Sequence, residues 1–173
     1  MRYLLICCCG ILILGCSSHV TRFYYLNAHH PVVYDYHLPI HIKVVLPQYL
    51  NQEKIISRRN THEIGINENA VWATPLAADI TAIIKQALIQ QQAQKQKLQK
   101  EAELSVYFKQ FDCTAVLCQI AGTWHMTMTD TSGTVQPFAY QQAVSKDTHQ
   151  QVVTLNHLTS QMAKDIAQKM SLK

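Results

Sequence analysis

Cys16 is the residue whose surroundings most clearly indicate chemistry. It follows Ile13-Leu14-Gly15, and before these lie one basic residue, Arg2, and an almost wholly apolar run from Tyr3 to Leu14. The run is shorter than the about 20 apolar residues of a transmembrane helix and has the layout of a secretory signal. Small or aliphatic residues before a cysteine form a bacterial lipobox, in which the thiol takes a diacylglycerol before the signal is cut. We predict a lipoprotein signal peptide at residues 1–15 and lipidation of Cys16; the alternative is an ordinary cleaved signal with a chance cysteine.

The residues after Cys16 bear on where the chain is held. A thioether-linked lipid and an acylated N-terminus together bury more than one hydrocarbon chain, which is enough for stable anchoring. Ser17 and Ser18 follow the cysteine, with no Asp directly after it, and this resembles outer-membrane sorting rather than inner-membrane retention. We expect a palmitate-bearing, periplasm-facing lipoprotein of the outer membrane, with residues 16–21 as a lipidated tether. Apart from the covalent lipid on Cys16, no cofactor is expected.

Two further cysteines, Cys113 and Cys118, remain for redox chemistry. Cys7, Cys8 and Cys9 lie within the predicted signal peptide, and Cys16 carries the lipid. The pair has four intervening residues and lies between two strand-like runs, whereas a redox motif of the C-x-x-C type has two. In an oxidising compartment we favour a disulfide across the end of a hairpin. Two reduced, buried cysteines are the alternative.

The histidines match no metal-binding motif. His29, His30, His37 and His41 fall within one segment, but their spacing fits no known ligand pattern, and solvated loop histidines explain them. Cysteine-hydrolase chemistry lacks a nucleophile motif, and a disulfide would consume both thiols. There is also no glycine-rich phosphate loop, paired-carboxylate signature or serine elbow. We therefore expect no metal site, no catalytic residues and no enzyme activity.

Length and charge limit the remaining possibilities. The chain has 173 residues, enough for one domain with a substantial core. Residues 1–15 contain one basic residue, Arg2, and no acidic one, so the formal charge falls from +4 to +3 when they are removed. This weak positive balance does not favour binding to nucleic acid. We predict a single domain at residues 22–173.

Apolar periodicity predicts an α+β fold. Period-two alternation marks strands at 40–46, 103–111 and 119–129, the last two forming a meander with a strand at about 135–144. Shorter strands are predicted at 22–26, 55–58 and 63–66, the last followed by a turn at Asn67–Asn69. Helical spacing marks two helices, about 75–90, with Thr74 as its cap, and 149–170. We expect a mixed or antiparallel sheet with these two helices packed on one face; Gln90 to Lys97 is expected to be a solvated spacer rather than part of the first helix.

Three motifs carry a family resemblance. They are Leu46-Pro47-Gln48-Tyr49-Leu50, Ile55-Ile56-Ser57-Arg58 and Trp72-Ala73-Thr74-Pro75-Leu76. Together with the lipobox, a strand pair containing Phe111 and Trp124, and a closing amphipathic helix, they resemble the PqiC/YmbA-type family of ABC-type transport auxiliary lipoproteins. The chain departs from the family pattern at Asn51-Gln52, where Asp-Arg is common, and at Thr74, where Glu is common.

The resemblance implies a role in transport. Members of this family act beside MCE-domain proteins, which form lipid-conducting assemblies between the two membranes. The resemblance implies that this chain is the outer-membrane-anchored component and docks on an MCE-domain protein; whether it forms a homo-oligomer is left open. Tyr49, Arg58 and Trp72 are candidate partner-binding residues, since Tyr, Arg and Trp are typical interface anchors; the alternative for Tyr49 and Trp72 is packing in the core. A pilotin or assembly factor for another envelope complex, a direct periplasmic lipid carrier and a hydrolase are the rival functions.

Overall fold

The computed structural model describes residues 20–26, 38–60, 62–94, 101–128 and 131–170. The predicted signal peptide, Cys16 and the tether up to residue 19 therefore lie outside the described residues. The same holds for His29, His30 and His37 and for residues 95–97 of the predicted spacer.

The described chain forms eight strands and two α-helices, with one short 3-10 turn at Gln48–Leu50. In chain order the elements are β1 (Arg22–Tyr24), β2 (Ile40–Val45), β3 (Lys54–Asn60), β4 (Glu63–Trp72), α1 (Leu76–Gln94), β5 (Ala102–Cys113), β6 (Leu117–Met128), β7 (Thr131–Ser132), β8 (Gln136–Ala143) and α2 (Thr148–Met170). The predicted α+β class is confirmed.

The larger sheet has five strands and carries most of the core. Its order is β2-β5-β6, with β7 and β8 both paired to the far edge of β6. Strands β5, β6 and β8 form the predicted antiparallel meander, whereas β2 runs parallel to β5. Along β6 every second residue from Cys118 to Met126 is buried, as the alternation predicts. Gly122 is required there, because a Cβ would lie 2.1 Å from the carbonyl oxygen of Tyr107 and 2.8 Å from the Phe138 ring.

The two helices pack against each other and against this sheet. α1 contacts β2, and α2 contacts β5, β6 and β8. The extent of α2 is close to the prediction, but α1 continues to Gln94, beyond the predicted end near residue 90. The predicted capping role of Thr74 is wrong: its hydroxyl donates to Oδ1 of Asp79 at 2.6 Å, and the carbonyl of Pro75 accepts the first helical bonds.

The smaller sheet has three strands in the order β1-β4-β3. The predicted turn at Asn67–Asn69 does not end β4. Between the pairs Lys54–Val71 and Ile56–Ile66, β4 advances five residues while β3 advances two, so β4 carries three extra residues at this point. The Asn67 side chain supports this irregularity, since its Oδ1 accepts from the backbone of Asn69 and its Nδ2 donates to Thr148 at the start of α2. The asparagines thus produce a bulge rather than a turn.

The first strand is tied firmly to the rest of the domain. β1 runs parallel to β4, and the carbonyl of Tyr24 accepts a bond from the backbone N–H of Ala73 at 2.8 Å. Leu26 is 1% exposed. Its N–H donates to Asp79 of α1, and its carbonyl accepts from the side chain of Asn156 of α2. The position and direction of the chain just after the predicted tether are therefore set by the fold.

A disulfide joins Cys113 and Cys118 at the end of the β5–β6 hairpin. Both residues are buried, and the two sulfur atoms lie 4.0 and 3.8 Å from the carbonyl oxygen of Gln151 in α2. The side chain of Gln151 donates to the carbonyl of Thr114 in the same hairpin turn at 3.1 Å. The disulfide thus lies at the contact between the hairpin and the first turn of α2.

Candidate docking groove at the junction of the two sheets

The three predicted partner-binding residues all lie where the two sheets meet. Tyr49 is in the 3-10 turn, Arg58 is in β3 and Trp72 ends β4. Trp72 is 7% exposed and belongs to the core, while Tyr49 is partly buried against it. The side chain of Arg58 is 20% exposed. The fold brings the three segments together, but it does not present these side chains as an open surface; their role in binding a partner stays a prediction.

Arg58 forms a charged link between the sheets. Its Nε and Nη2 donate to Oδ2 of Asp112 in β5, at 3.1 and 2.8 Å. Asp112 is 1% exposed, and its other oxygen accepts from the Gln110 side chain at 3.1 Å. The bond to Asp112 raises the pKa of Arg58 above its ordinary value. A buried carboxylate is stable only when it is paired and hydrogen-bonded, so this contact attaches β3 to the larger sheet at a defined position.

Tyr49 packs beside this ion pair. Burial raises the pKa of its phenol, and the negative charge of Asp112 raises it further. The phenol oxygen is buried, and the neighbouring Arg58 offsets part of this rise in pKa. A Tyr hydroxyl in this position contributes through packing of its ring rather than through chemistry, because its pKa moves away from the physiological range.

Next to Trp72 the same segments form a groove of about 390 Å³. Its apolar wall consists of Leu46, Leu50, Trp72, Pro75 and Leu76, and its more polar rim of Asn51, Gln52, Glu53 and Thr74. Two of the three motifs therefore supply its opposite walls. The third motif, in β3, contributes the Arg58 link that holds β3 against the larger sheet.

Hydrogen bonds within the rim hold the groove in shape. The side chain of Gln52 donates to the carbonyl of Tyr49 at 2.8 Å. The backbone N–H of Trp72 donates to the carbonyl of Glu53 at 2.6 Å, and Thr74 is held by Asp79. A groove with an apolar floor and a fixed polar rim is suited to hold apolar side chains of another molecule.

The ranges that the structure describes hold no group of three or more His, Cys, Asp or Glu side chains placed to share a metal ion. His41 is exposed on β2, and His125 stacks on Tyr107 with ring centroids 5.7 Å apart. A hollow of about 620 Å³ at the opposite end of the larger sheet is lined by residues 38–41, 101–103 and 127–128, and none of the motif residues contributes to it.

Sequence reasoning missed Asp112 and the rim of the groove. Asp112 lies in an otherwise apolar stretch between Phe111 and Cys113. An acidic residue in a buried strand requires a cationic partner, and this signal could have indicated a buried ion pair. The groove left no comparable signal, because its walls are separated by more than 20 residues along the chain.

None of the helices in the described ranges combines the length and apolar character needed to cross a membrane. Residues 37–167 match the family described as "ABC-type transport auxiliary lipoprotein component". A search among curated proteins finds no match.

Twelve chains among the solved structures are similar to this one, among them the following two. A crystal structure of an uncharacterised protein has a TM-score of 0.72 at 18% identity, covering 88% of this chain and 99% of that one. A Xanthomonas campestris protein of the DUF330 family has a TM-score of 0.65 at 11% identity, covering 77% and 83%. At these identities the likeness concerns the fold alone.

Proposed function

The chain belongs to the family of ABC-type transport auxiliary lipoprotein components, and on that premise we propose that it is the outer-membrane lipoprotein of an MCE-type intermembrane lipid transport system. In this role the protein transports nothing by itself. It is held at the outer membrane by lipid on Cys16 and docks on the MCE-domain protein of the same system. The family description names an auxiliary component of transport, which agrees with a binding rather than a catalytic role.

The groove beside Trp72 is the observation that supports docking. Its walls come from Leu46–Leu50 and Trp72–Leu76, the segments that carry the family resemblance, and its volume of about 390 Å³ fits a few apolar side chains. The rim carries one ionisable side chain, Glu53, beside neutral Asn51, Gln52 and Thr74. We infer that the occupant is a segment of the MCE-domain protein with apolar side chains at its centre and no acidic residue facing Glu53.

Site-specific crosslinking in cells tests this docking. A photoreactive phenylalanine analogue at Asn51, on the exposed rim, is expected to crosslink to the MCE-domain protein. The same analogue at Gln142, exposed on β8, serves as the matched control and is expected to give no such product. Ala73→Trp, which places a large ring in the groove, is expected to reduce the Asn51 product, whereas Ala139→Trp on the exposed side of β8 leaves it unchanged.

The identity of the crosslinked molecule decides between the candidate functions. A secretion-channel subunit in place of the MCE-domain protein would support an assembly factor, and a crosslink to phospholipid alone would support a carrier. The anchor is tested separately by labelling with palmitate: the wild-type protein is expected to be labelled, and Cys16→Ala is not. Labelling of Cys16→Ala would contradict lipidation at this residue.

A further inference from the structure

Strand β1 and the residues that flank it present apolar side chains to solvent, although the strand is firmly held. Val20, Phe23 and Tyr25 are 72%, 69% and 56% exposed. Phe23 and Tyr25 are two residues apart in an extended segment and therefore point to the same side. Arg22, between Val20 and Phe23 in sequence, is exposed as well. Two large aromatic rings are thus gathered on one side of a short edge strand and the residue that follows it.

This group of residues cannot turn away independently of the domain. Each residue of β1 is in register with β4, and Phe23 is paired with Val71. Just beyond it, Leu26 is held by Asp79 and Asn156 from the two helices. The direction in which Phe23 and Tyr25 point is therefore a property of the folded domain as a whole.

The distance along the chain places these residues close to the bilayer. Val20 is four positions after Cys16 in the chain, and Phe23 is seven positions after it. At 3.3–3.6 Å per residue these segments span at most about 14 Å and about 25 Å. If Cys16 carries a lipid in the membrane, the outer side of β1 has to lie within this distance of the lipid headgroups.

We propose that Phe23 and Tyr25 form a second, noncovalent contact with the bilayer that holds Cys16. This inference rests on the proposed lipid anchor. Aromatic side chains are favoured at the membrane–water interface, where their rings reach the boundary of the hydrocarbon. Because the covalent lipids already provide strong anchoring, the effect of this contact is to orient the domain rather than to increase its affinity.

The orientation has a consequence for the docking groove. Neighbouring residues of a strand point to opposite faces of the sheet. Val71 is paired with Phe23, and Trp72, which lines the groove, is paired with Tyr24 on the opposite face. A domain that rests on the Phe23 face therefore directs the wall containing Trp72 away from the bilayer, towards the periplasm.

Fluorescence quenching by lipid tests the contact in the full lipidated protein. The native tryptophans, Trp72 and Trp124, are 7% and 6% exposed and give a low baseline. Phe23→Trp introduces a reporter on β1. Val135→Trp is the matched control: Val135 is 57% exposed, and the loop that precedes it packs beside Lys169 of α2, about 20 Å along the helix from Asn156. Both variants are reconstituted in vesicles of phosphatidylethanolamine and phosphatidylglycerol that contain a brominated phosphatidylcholine.

We expect brominated lipid to quench Phe23→Trp at least about twofold more than either the wild-type protein or Val135→Trp, because a ring at the interface meets the bromine atoms. Tyr25→Trp should behave like Phe23→Trp. Equal quenching of the β1 and control reporters in proteins that float with the vesicles would overturn the contact while leaving the lipid anchor intact. If the proteins do not float, the anchor itself fails, and the contact that rests on it fails too.

Discussion

The two sheets of this protein share one apolar core, to which the smaller sheet contributes Ile55, Ile56, Ala70 and Trp72, but they differ in exposure and in polar contacts. The five-stranded sheet and its helices share a continuous apolar core, in which the side chains of Leu104, Val106, Ile120, Leu158, Met162 and Ile166 are almost completely buried. The three-stranded sheet also buries apolar residues, but Phe23, Ile64 and Ile66 on its strands are exposed. Specific polar contacts connect it to the larger unit: Arg58 to Asp112, Asn67 to Thr148, and Leu26 to Asp79 and Asn156.

This difference indicates that apolar burial provides most of the stability, whereas the polar contacts fix the position of the smaller sheet. Apolar burial is non-directional and increases with the area removed from water, so it stabilises the larger unit strongly. Hydrogen bonds and ion pairs contribute less net free energy, but they demand particular distances and angles. They are therefore suited to set the angle at which the smaller sheet meets the larger one, and the docking groove lies along this junction.

Shortening an apolar side chain in each sheet gives the largest expected contrast. Leu104 is 0% exposed in β5. Leu104→Ala is expected to lower the free energy of unfolding by about 4 kcal/mol, because it leaves a cavity in the core. Ile64→Ala, at a position 39% exposed in β4, is expected to cost less than about 1 kcal/mol. Urea denaturation followed by circular dichroism measures both values. Similar losses for the two variants would contradict this difference between the sheets.

The ion pair between the sheets gives the second contrast. Arg58→Met leaves the carboxylate of Asp112, which is 1% exposed, without its cation and is expected to cost about 3 kcal/mol. Hydrogen exchange should then accelerate in β3 more than in β6. The double variant Arg58→Met/Asp112→Leu removes the unpaired charge and should recover most of the loss. If the double variant is no more stable than Arg58→Met, the unpaired carboxylate of Asp112 does not account for the stability that Arg58→Met loses.

The smallest effect is expected within the larger unit, where Tyr140 of β8 donates to Asp165 of α2 at 2.6 Å. Tyr140→Phe removes this bond and should cost about 1 kcal/mol near neutral pH. Burial, followed by the contact with Asp165, raises the pKa of Tyr140 above its ordinary value of 10.0.

The raised pKa also predicts how this contribution depends on pH. Above pH 10 the unfolded chain releases the phenol proton while the folded chain keeps it, so the contribution of Tyr140 is complete below that pH and declines as the pH rises. Urea midpoints of the wild-type protein and Tyr140→Phe should therefore converge above about pH 10. A constant difference between the two proteins across this range would rule out the raised pKa as a factor in stability.

Much of the larger unit was predictable from local pattern. Strand β6 alternates buried and less buried residues along most of its length, and α2 has a regular apolar stripe, so period alone indicated their type and orientation. The end of α1 was less predictable, because its Gln-rich last turn has no apolar residue to mark it and glutamine is compatible with both helix and solvent. Asn67–Asn69 has the composition of a turn, but the contact with Thr148, 81 residues away, keeps it within a strand as a bulge.

The sequence by itself determined the α+β class, the meander and the family, because period and motif are recorded in neighbouring residues; lipid attachment at Cys16 stays a prediction from the same kind of local signal. Only the tertiary structure decided that β1 pairs in parallel with β4, that Arg58 reaches Asp112 and that two distant motifs form one groove. These features depend on contacts between residues far apart in the chain. Local propensity does not encode such contacts, and they form only when the apolar faces of both sheets and both helices are buried together.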